Sequence, residues 1–115
     1  MNEIIFDFDG AKHLWKFNQP TYACFKSRVE GFEKEDYEAY SLYHLLYAGL
    51  KTGCVIKGNS VNFTWEKCCE WADKLPEEHI LLMMKIFTEE LNFTGKVDEG
   101  KKKQVKIQGK KKITN

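Results

Sequence analysis

The feature that most constrains the fold is a β-hairpin pattern near the start of the chain. Apolar and polar residues alternate along Ile4–Phe8 and again along His13–Phe17, and Asp9-Gly10 between the two runs is a strong signal for a two-residue turn. In this register one face of the hairpin carries four large apolar residues: Ile4, Phe6, Phe8 and Trp15. Because a lone hairpin is only marginally stable in water, the rest of the chain must cover that face.

The remaining apolar residues recur at helical spacing. They predict four helices, over about residues 20–30, 35–51, 64–75 and 76–91. Residues 52–63 are predicted to be a loop, because glycines such as Gly53 interrupt the helical pattern, and Val61–Phe63 is expected to add a short extended segment. The predicted fold class is therefore α+β and mainly helical, with the N-terminal β-hairpin packed on about four helices.

The second helix is predicted to be the central element of the core. Five residues have the spacing of a buried helix face: Leu42, Leu45, Leu46, Gly49 and Leu50. A second stripe, of tyrosines, lies beside them: Tyr40, Tyr43 and Tyr47. The fourth helix is predicted to bury one stripe as well, formed by Ile80, Met83, Met84, Phe87 and Leu91.

Charge is distributed unevenly along the chain. Residues 96–115 hold eight Lys against two acidic residues and so carry +6, which leaves −5 on residues 1–95. The basic segment also holds too few apolar side chains to offset the entropy lost on ordering. We therefore expect one domain, residues 1–95, followed by a flexible basic tail, residues 96–115.

The sequence predicts a cytoplasmic protein without a membrane segment. Asp7 and Asp9 interrupt the apolar stretch near the N-terminus, and no apolar run approaches the ~20 residues that a membrane span needs. Without an export signal, the four cysteines are expected to be reduced, buried thiols: Cys24, Cys54, Cys68 and Cys69.

The segment Ile4–Gly10 is similar to the first motif of haloacid-dehalogenase-type phosphatases, in which an apolar strand ends in Asp-x-Asp-Gly. In that chemistry Asp7 would attack phosphorus and Asp9 would transfer a proton, with magnesium between them. The sequence favours a hairpin instead. A second strand follows Gly10 where a helix is needed, and ~100 further residues cannot form the doubly wound sheet that holds the other catalytic groups.

Other catalytic or metal-binding arrangements have equally little support. Cys68 and Cys69 are adjacent and point about 100° apart on a helix, so they do not chelate one ion easily, and no Cys-x-x-Cys is present. His44 and His79 have no ligand partner one turn away. Cys–His pairs that meet only in the fold stay open. We therefore expect no enzymatic activity, no cofactor and no metal.

Binding of a partner is the predicted role, and two regions are its candidates. The tyrosine stripe of Tyr40, Tyr43 and Tyr47, with Leu50 beside it, suits a surface that becomes buried on association, because a tyrosine ring packs while its hydroxyl stays hydrogen-bonded. Half-buried core packing is an equally good explanation of the stripe. The second candidate is the lysine cluster of the tail: Lys101, Lys102 and Lys103.

The order of the elements resembles a known family. A hairpin, a short aromatic helix, a helix ending in Leu45-Leu46-Tyr47-Ala48-Gly49-Leu50-Lys51, a Trp-bearing helix and a last amphipathic helix follow one another. Over about residues 4–92 this layout is similar to the tail assembly chaperones of long-tailed bacteriophages, which carry a Leu-x-Tyr-Ala-Gly-Leu-type segment on a central helix. The chain departs from the family at residues 18–21, where a Gly-rich segment is common, and beyond residue 95.

The resemblance implies a non-enzymatic protein that binds the phage tail tube or tape measure protein before assembly, in the cytoplasm of a bacterial host. An accessory nucleic-acid-binding protein that uses the lysine tail is the alternative from another class. Nucleic acid is the less favoured partner, because the tail has no aromatic residue to stack on a base and no Arg for bidentate base readout. The sequence leaves homo-oligomerisation open.

Overall fold

The structure, a computed structural model, describes residues 2–99, with side chains described through residue 91. Its elements in chain order are β1 (Glu3–Phe8), β2 (Ala11–Lys16), α1 (Gln19–Val29), α2 (Lys34–Ile56), α3 (Trp65–Asp73) and α4 (Glu77–Glu99). An antiparallel hairpin followed by four helices confirms the predicted fold class. None of the helices in this part of the chain has an apolar stretch long enough to cross a lipid bilayer.

The chain divides into two compact units, and the boundary between them lies inside α4. The first unit ends at Met83 and contains the hairpin, α1, α2, α3 and the start of α4, while the described part of the second unit is α4 from Met84 onward. α4 continues four residues past Gly95, where the sequence predicts the end of the ordered domain. Residues 100–115, which form most of the predicted tail, lie outside the described residues, so the predicted domain boundary and the mobility of the tail stay predictions.

The hairpin has the predicted register. Its inward-facing cross-strand pairs are Ile4 with Trp15, Phe6 with His13, and Phe8 with Ala11. Asp9 and Gly10 have φ angles of 55° and 80°, and two positive values are what a type I′ turn requires. The four apolar residues predicted to share one face are all buried.

Helix α2 packs closely against the hairpin at two glycines. A Cβ atom on Gly49 would collide with the indole ring of Trp15, and one on Gly53 would collide with the carbonyl group of Leu14. Trp15 is completely buried, and its Nε1 donates a hydrogen bond to the carbonyl oxygen of Leu45 at 3.1 Å. The two glycines therefore allow strand β2 to lie directly against α2.

The predicted loop from residue 52 is wrong at its start, because α2 continues to Ile56. Glycine normally weakens a helix, but Gly53 remains helical here because its missing side chain makes room for β2. Thr52 is also fixed, since its hydroxyl donates to the carbonyl oxygen of Ala48 at 3.0 Å and lies 2.8 Å from the Thr21 hydroxyl. The role of Gly53 is thus tertiary, and a local pattern does not reveal it.

The predicted extended segment Val61–Phe63 forms no strand, and within residues 2–99 the hairpin is the only sheet. Phe63 instead packs its ring against the rings of Tyr47 and Trp71, with centroid distances of 5.7 Å in both cases. Phe63 is therefore held by ring packing in a loop, whereas Val61 is 38% exposed.

The predicted stripe of α2 is confirmed at four of its five positions, since Leu45, Leu46, Gly49 and Leu50 are buried, whereas Leu42 is half-buried. The predicted stripe of α4 is wrong in one position. Met83 is buried, whereas Met84 is 42% exposed and Ile86 is buried in its place. Met83 and Ile86 lie three residues apart on one face of the helix, while Met84 points about 100° away from Met83.

Candidate interaction surface

The tyrosine stripe of α2 runs from the surface into the core. Tyr40 is 49% exposed, and its ring lies against that of Tyr43 with a centroid distance of 6.3 Å. Tyr43 is half-buried, and its hydroxyl donates to Asp73 Oδ1 at 2.6 Å. Tyr47 is half-buried and packs edge-on against Trp65. Tyr40 is therefore the member most accessible to a partner, whereas Tyr47 supports the packing of the helices.

The other residues predicted to bind a partner are placed differently. Leu50 is 1% exposed, so its side chain is part of the core and not of the accessible surface. Lys101, Lys102 and Lys103 lie outside the described residues. Binding by the stripe, by Leu50 or by these lysines stays a prediction.

The start of α2 is exposed on all sides. Every residue of the range Lys34–Tyr40 is exposed, and this range includes Tyr37, whose ring meets that of Phe25 on α1 edge-on at 6.3 Å. Tyr37, Tyr40 and Tyr43 follow one another at intervals of three residues, so they lie on neighbouring positions of the helix surface. We call these three residues the tyrosine surface.

Arg28 is the centre of a cluster that the sequence analysis missed. Its Nε donates to Nδ1 of His44 at 2.9 Å, and its guanidinium carbon lies 4.3 Å from the centre of the Tyr47 ring and 4.8 Å from that of Trp65. The rings of His44 and Trp65 also stack at 4.5 Å. These residues come from α1, α2 and α3, so no local spacing of residues could have revealed the cluster.

The Arg28 cluster depends on a neutral histidine. Burial lowers the pKa of His44, and the charge of Arg28 lowers that pKa further. An uncharged imidazole has a free Nδ1 lone pair that accepts the hydrogen bond from Arg28. The cation over two aromatic rings then joins three helices in one contact, which is a structural role.

The two acids of the phosphatase-like motif have different surroundings. Asp7 lies on the outer face of the hairpin, where its carboxylate forms an exposed ion pair with Lys12 at 3.5 Å. Asp9 lies in the turn and accepts a hydrogen bond from Trp71 Nε1 at 3.0 Å; this bond and nearby lysines lower the pKa of Asp9. Strand β2 follows the turn directly. That the chain is not an enzyme stays a prediction.

The cysteines and histidines do not form a metal site in the part of the chain that the structure describes, where no group of three or more His, Cys, Asp or Glu is placed to hold an ion. All four cysteines are free. Cys68 is buried as predicted, and burial raises the pKa of its thiol to about 12, so this thiol is protonated at neutral pH. The other three cysteines are only half-buried, so the prediction of buried thiols is wrong for them: Cys24, Cys54 and Cys69.

Comparison with protein-family models, with curated proteins and with solved structures finds no match to this chain. The resemblance to tail assembly chaperones therefore rests on the sequence layout and on residues 45–51.

Proposed function

We propose that this chain is a non-enzymatic assembly chaperone that binds a tail protein of a long-tailed bacteriophage, the tail tube or the tape measure protein, before the tail is assembled. The observation that carries the proposal is the contrast between two parts of α2. Most of residues 45–53 are buried, with β2 against Gly49 and Gly53, whereas residues 34–40 are exposed and include Tyr37 and Tyr40 of the tyrosine surface.

The segment that resembles the family has a clear physical role in the buried half of α2. Gly49 admits the ring of Trp15, and the carbonyl of Leu45 accepts the hydrogen bond of that ring. Leu46 and Leu50 complete the core beside it. The hairpin and residues 45–50 are thus in direct contact, which supports the resemblance of the whole layout and not only of a short motif.

The exposed start of α2, residues 34–40, supports the binding role. Tyrosine contributes a large apolar ring that loses little conformational entropy when it is buried, and its hydroxyl can stay hydrogen-bonded at the rim of an interface. The tape measure protein of the family is a long helical protein with apolar stripes, and a helix surface of this kind can receive one. The same surface can also cover a tube subunit before it polymerises.

Co-expression with each of the two tail proteins tests the proposal. The tagged chain is expected to retain one of them on an affinity column. Tyr40→Ala is expected to weaken this binding about tenfold or more, as an exposed aromatic anchor does. Glu38→Ala is the matched control, because Glu38 is exposed on the same part of α2.

Thermal melting of both variants distinguishes lost binding from lost folding, and both melting temperatures are expected to stay close to that of the wild type. If the wild-type chain retains neither tail protein, the proposed function is refuted. Equal loss of binding in Tyr40→Ala and Glu38→Ala would refute the role of the tyrosine surface.

A further inference from the structure

The outer edge of β1 has unpaired backbone groups. The two-residue turn makes Phe8 and Ala11 a hydrogen-bonded pair, and such pairs alternate along an antiparallel ladder. The backbone N–H and C=O groups that point away from β2 are therefore those of Glu3, Ile5 and Asp7. Within the described residues, no backbone hydrogen bond from outside the hairpin reaches these three residues.

The outer edge of β2 follows the same alternation, but unlike the edge of β1 it is covered by helices. The same rule directs the carbonyl groups of Leu14 and Lys16 away from β1. The carbonyl of Lys16 accepts a hydrogen bond from the Thr21 hydroxyl at 2.6 Å, and that of Leu14 lies against Gly53. Helices α1 and α2 thus cover the edge of β2, and β1 carries the open edge of the sheet.

Side chains along β1 specify what kind of strand fits this edge. Ile5 is 53% exposed on the outer face, between the acidic residues Glu3 and Asp7. On its paired side β1 already faces a strand with the complementary order: Lys16 opposite Glu3, Leu14 opposite Ile5, and Lys12 opposite Asp7. The two lysines form ion pairs with these acids at 3.4 Å and 3.5 Å. A strand that pairs favourably with the open edge of β1 therefore has the residue pattern basic–x–apolar–x–basic.

Strand β1 of a second copy of this chain does not have that residue pattern. Antiparallel pairing of two β1 strands centred on Ile5 would place Glu3 of each copy opposite Asp7 of the other. Like charges directly opposite one another destabilise a strand pair. Self-association through this edge is therefore disfavoured, and the open edge fits a different protein.

We propose that β1 accepts an extended segment of a partner protein as a third strand, and that this segment has the pattern basic–x–apolar–x–basic. The identity of the partner as a tail protein rests on the proposed function above. A groove beside residues 6–9 is lined by Phe6, Trp71, Leu75 and His79 among others. A partner residue opposite Phe6 would project to the same face of the sheet as Phe6, so we expect an apolar residue at that position.

The direct probe is a capped peptide, Thr-Lys-Val-Leu-Val-Lys-Thr, added to the full chain, with Thr-Glu-Val-Leu-Val-Glu-Thr as the matched control. The basic peptide is expected to slow hydrogen exchange of the Ile5 and Asp7 amides at least tenfold. The amides of Phe6 and Phe8 are already in the ladder and are expected to change little. Binding without protection of Ile5 and Asp7, or no binding, overturns strand addition.

Charge reversal tests the specificity. The double variant Glu3→Lys, Asp7→Lys is expected to bind the basic peptide about tenfold more weakly and the acidic peptide more tightly, because two attractive cross-strand pairs become repulsive. The new lysines also lie opposite Lys16 and Lys12, so the variant is expected to lose some stability, and circular dichroism verifies that it is folded. The companion variant Glu3→Gln, Asp7→Asn introduces no like charges and is also expected to bind the basic peptide more weakly. An unchanged preference for the basic peptide in the folded variant overturns the proposed pattern.

A proline in the open edge of β1 tests strand addition independently of the proposed function. Ile5→Pro removes an N–H that the hairpin ladder does not use, and Ile5→Thr is the control that keeps it. Both variants are tested for tail-protein retention once their folding is verified by circular dichroism. If folded Ile5→Pro retains the tail protein as well as the wild type does, strand addition is refuted and the proposed function stands. If the wild type retains no tail protein but the peptide protects Ile5, the proposed function is refuted and strand addition stands.

Discussion

Replacing Gly49 with Ala tests the contact between α2 and the hairpin. In an unconstrained helix this change stabilises by about 1 kcal/mol, because Ala is the better helix former. Here the added methyl group would collide with the ring of Trp15, which is completely buried and hydrogen-bonded to Leu45. Overpacking costs about 1–3 kcal/mol, and moving the ring leaves a buried N–H unpaired for about 1–3 kcal/mol more. The expected net loss of unfolding free energy is about 1–5 kcal/mol.

Lys51→Ala is the matched control, because Lys51 is exposed on the same helix between Gly49 and Gly53. It is expected to change the unfolding free energy by less than about 0.5 kcal/mol. Urea unfolding followed by far-ultraviolet circular dichroism gives both values. A Gly49→Ala variant as stable as the wild type, or more stable, refutes the close approach of α2 and β2 at this position.

Three further perturbations test other parts of the fold. Replacing Leu45, Leu46 or Leu50 with Ala is expected to lower the unfolding free energy by about 2–5 kcal/mol, because each side chain is buried, and urea melts measure this loss. Thr21→Val is expected to cost about 1–3 kcal/mol, because the Lys16 carbonyl loses its donor, whereas Ser27→Ala on the exposed face of α1 is expected to cost much less. Burial lowers the pKa of His13 and of His44 below the unfolded value of about 6.5, so the unfolded chain takes up protons first and stability is expected to fall as the pH drops from 7 to 5. The double variant His13→Gln, His44→Gln is expected to flatten this dependence, and a wild-type stability that stays level or rises over the same range would contradict it.

The parts of the fold that depend on local sequence are the parts that the sequence predicts. The hairpin register follows from Asp9-Gly10 and from the alternation on either side of it. The buried leucines of α2 follow from helical periodicity. Each of these signals lies within a short window, where the chain's own periodicity decides the structure.

Features that depend on contacts between distant elements are not predictable in the same way. The sequence predicts that Gly53 ends a helix. In the structure Gly53 is a packing site, because Leu14 approaches it from a strand almost forty residues earlier. Arg28 finds its partners on two other helices. The open edge of β1 is implied by the hairpin register, but only the fold shows that α1 and α2 cover the opposite edge.

The most direct test of the central claim is whether the chain keeps a tail protein soluble. Tail tube protein and tape measure protein encoded in the same genome are each diluted from denaturant, alone and with an equimolar amount of the chain, and light scattering is recorded. We expect the chain to suppress scattering of at least one of them and to co-elute with it in size-exclusion chromatography. We also expect weaker suppression by Tyr40→Ala than by Glu38→Ala. Unchanged scattering of both proteins, with the chain eluting alone, would contradict the proposed chaperone function.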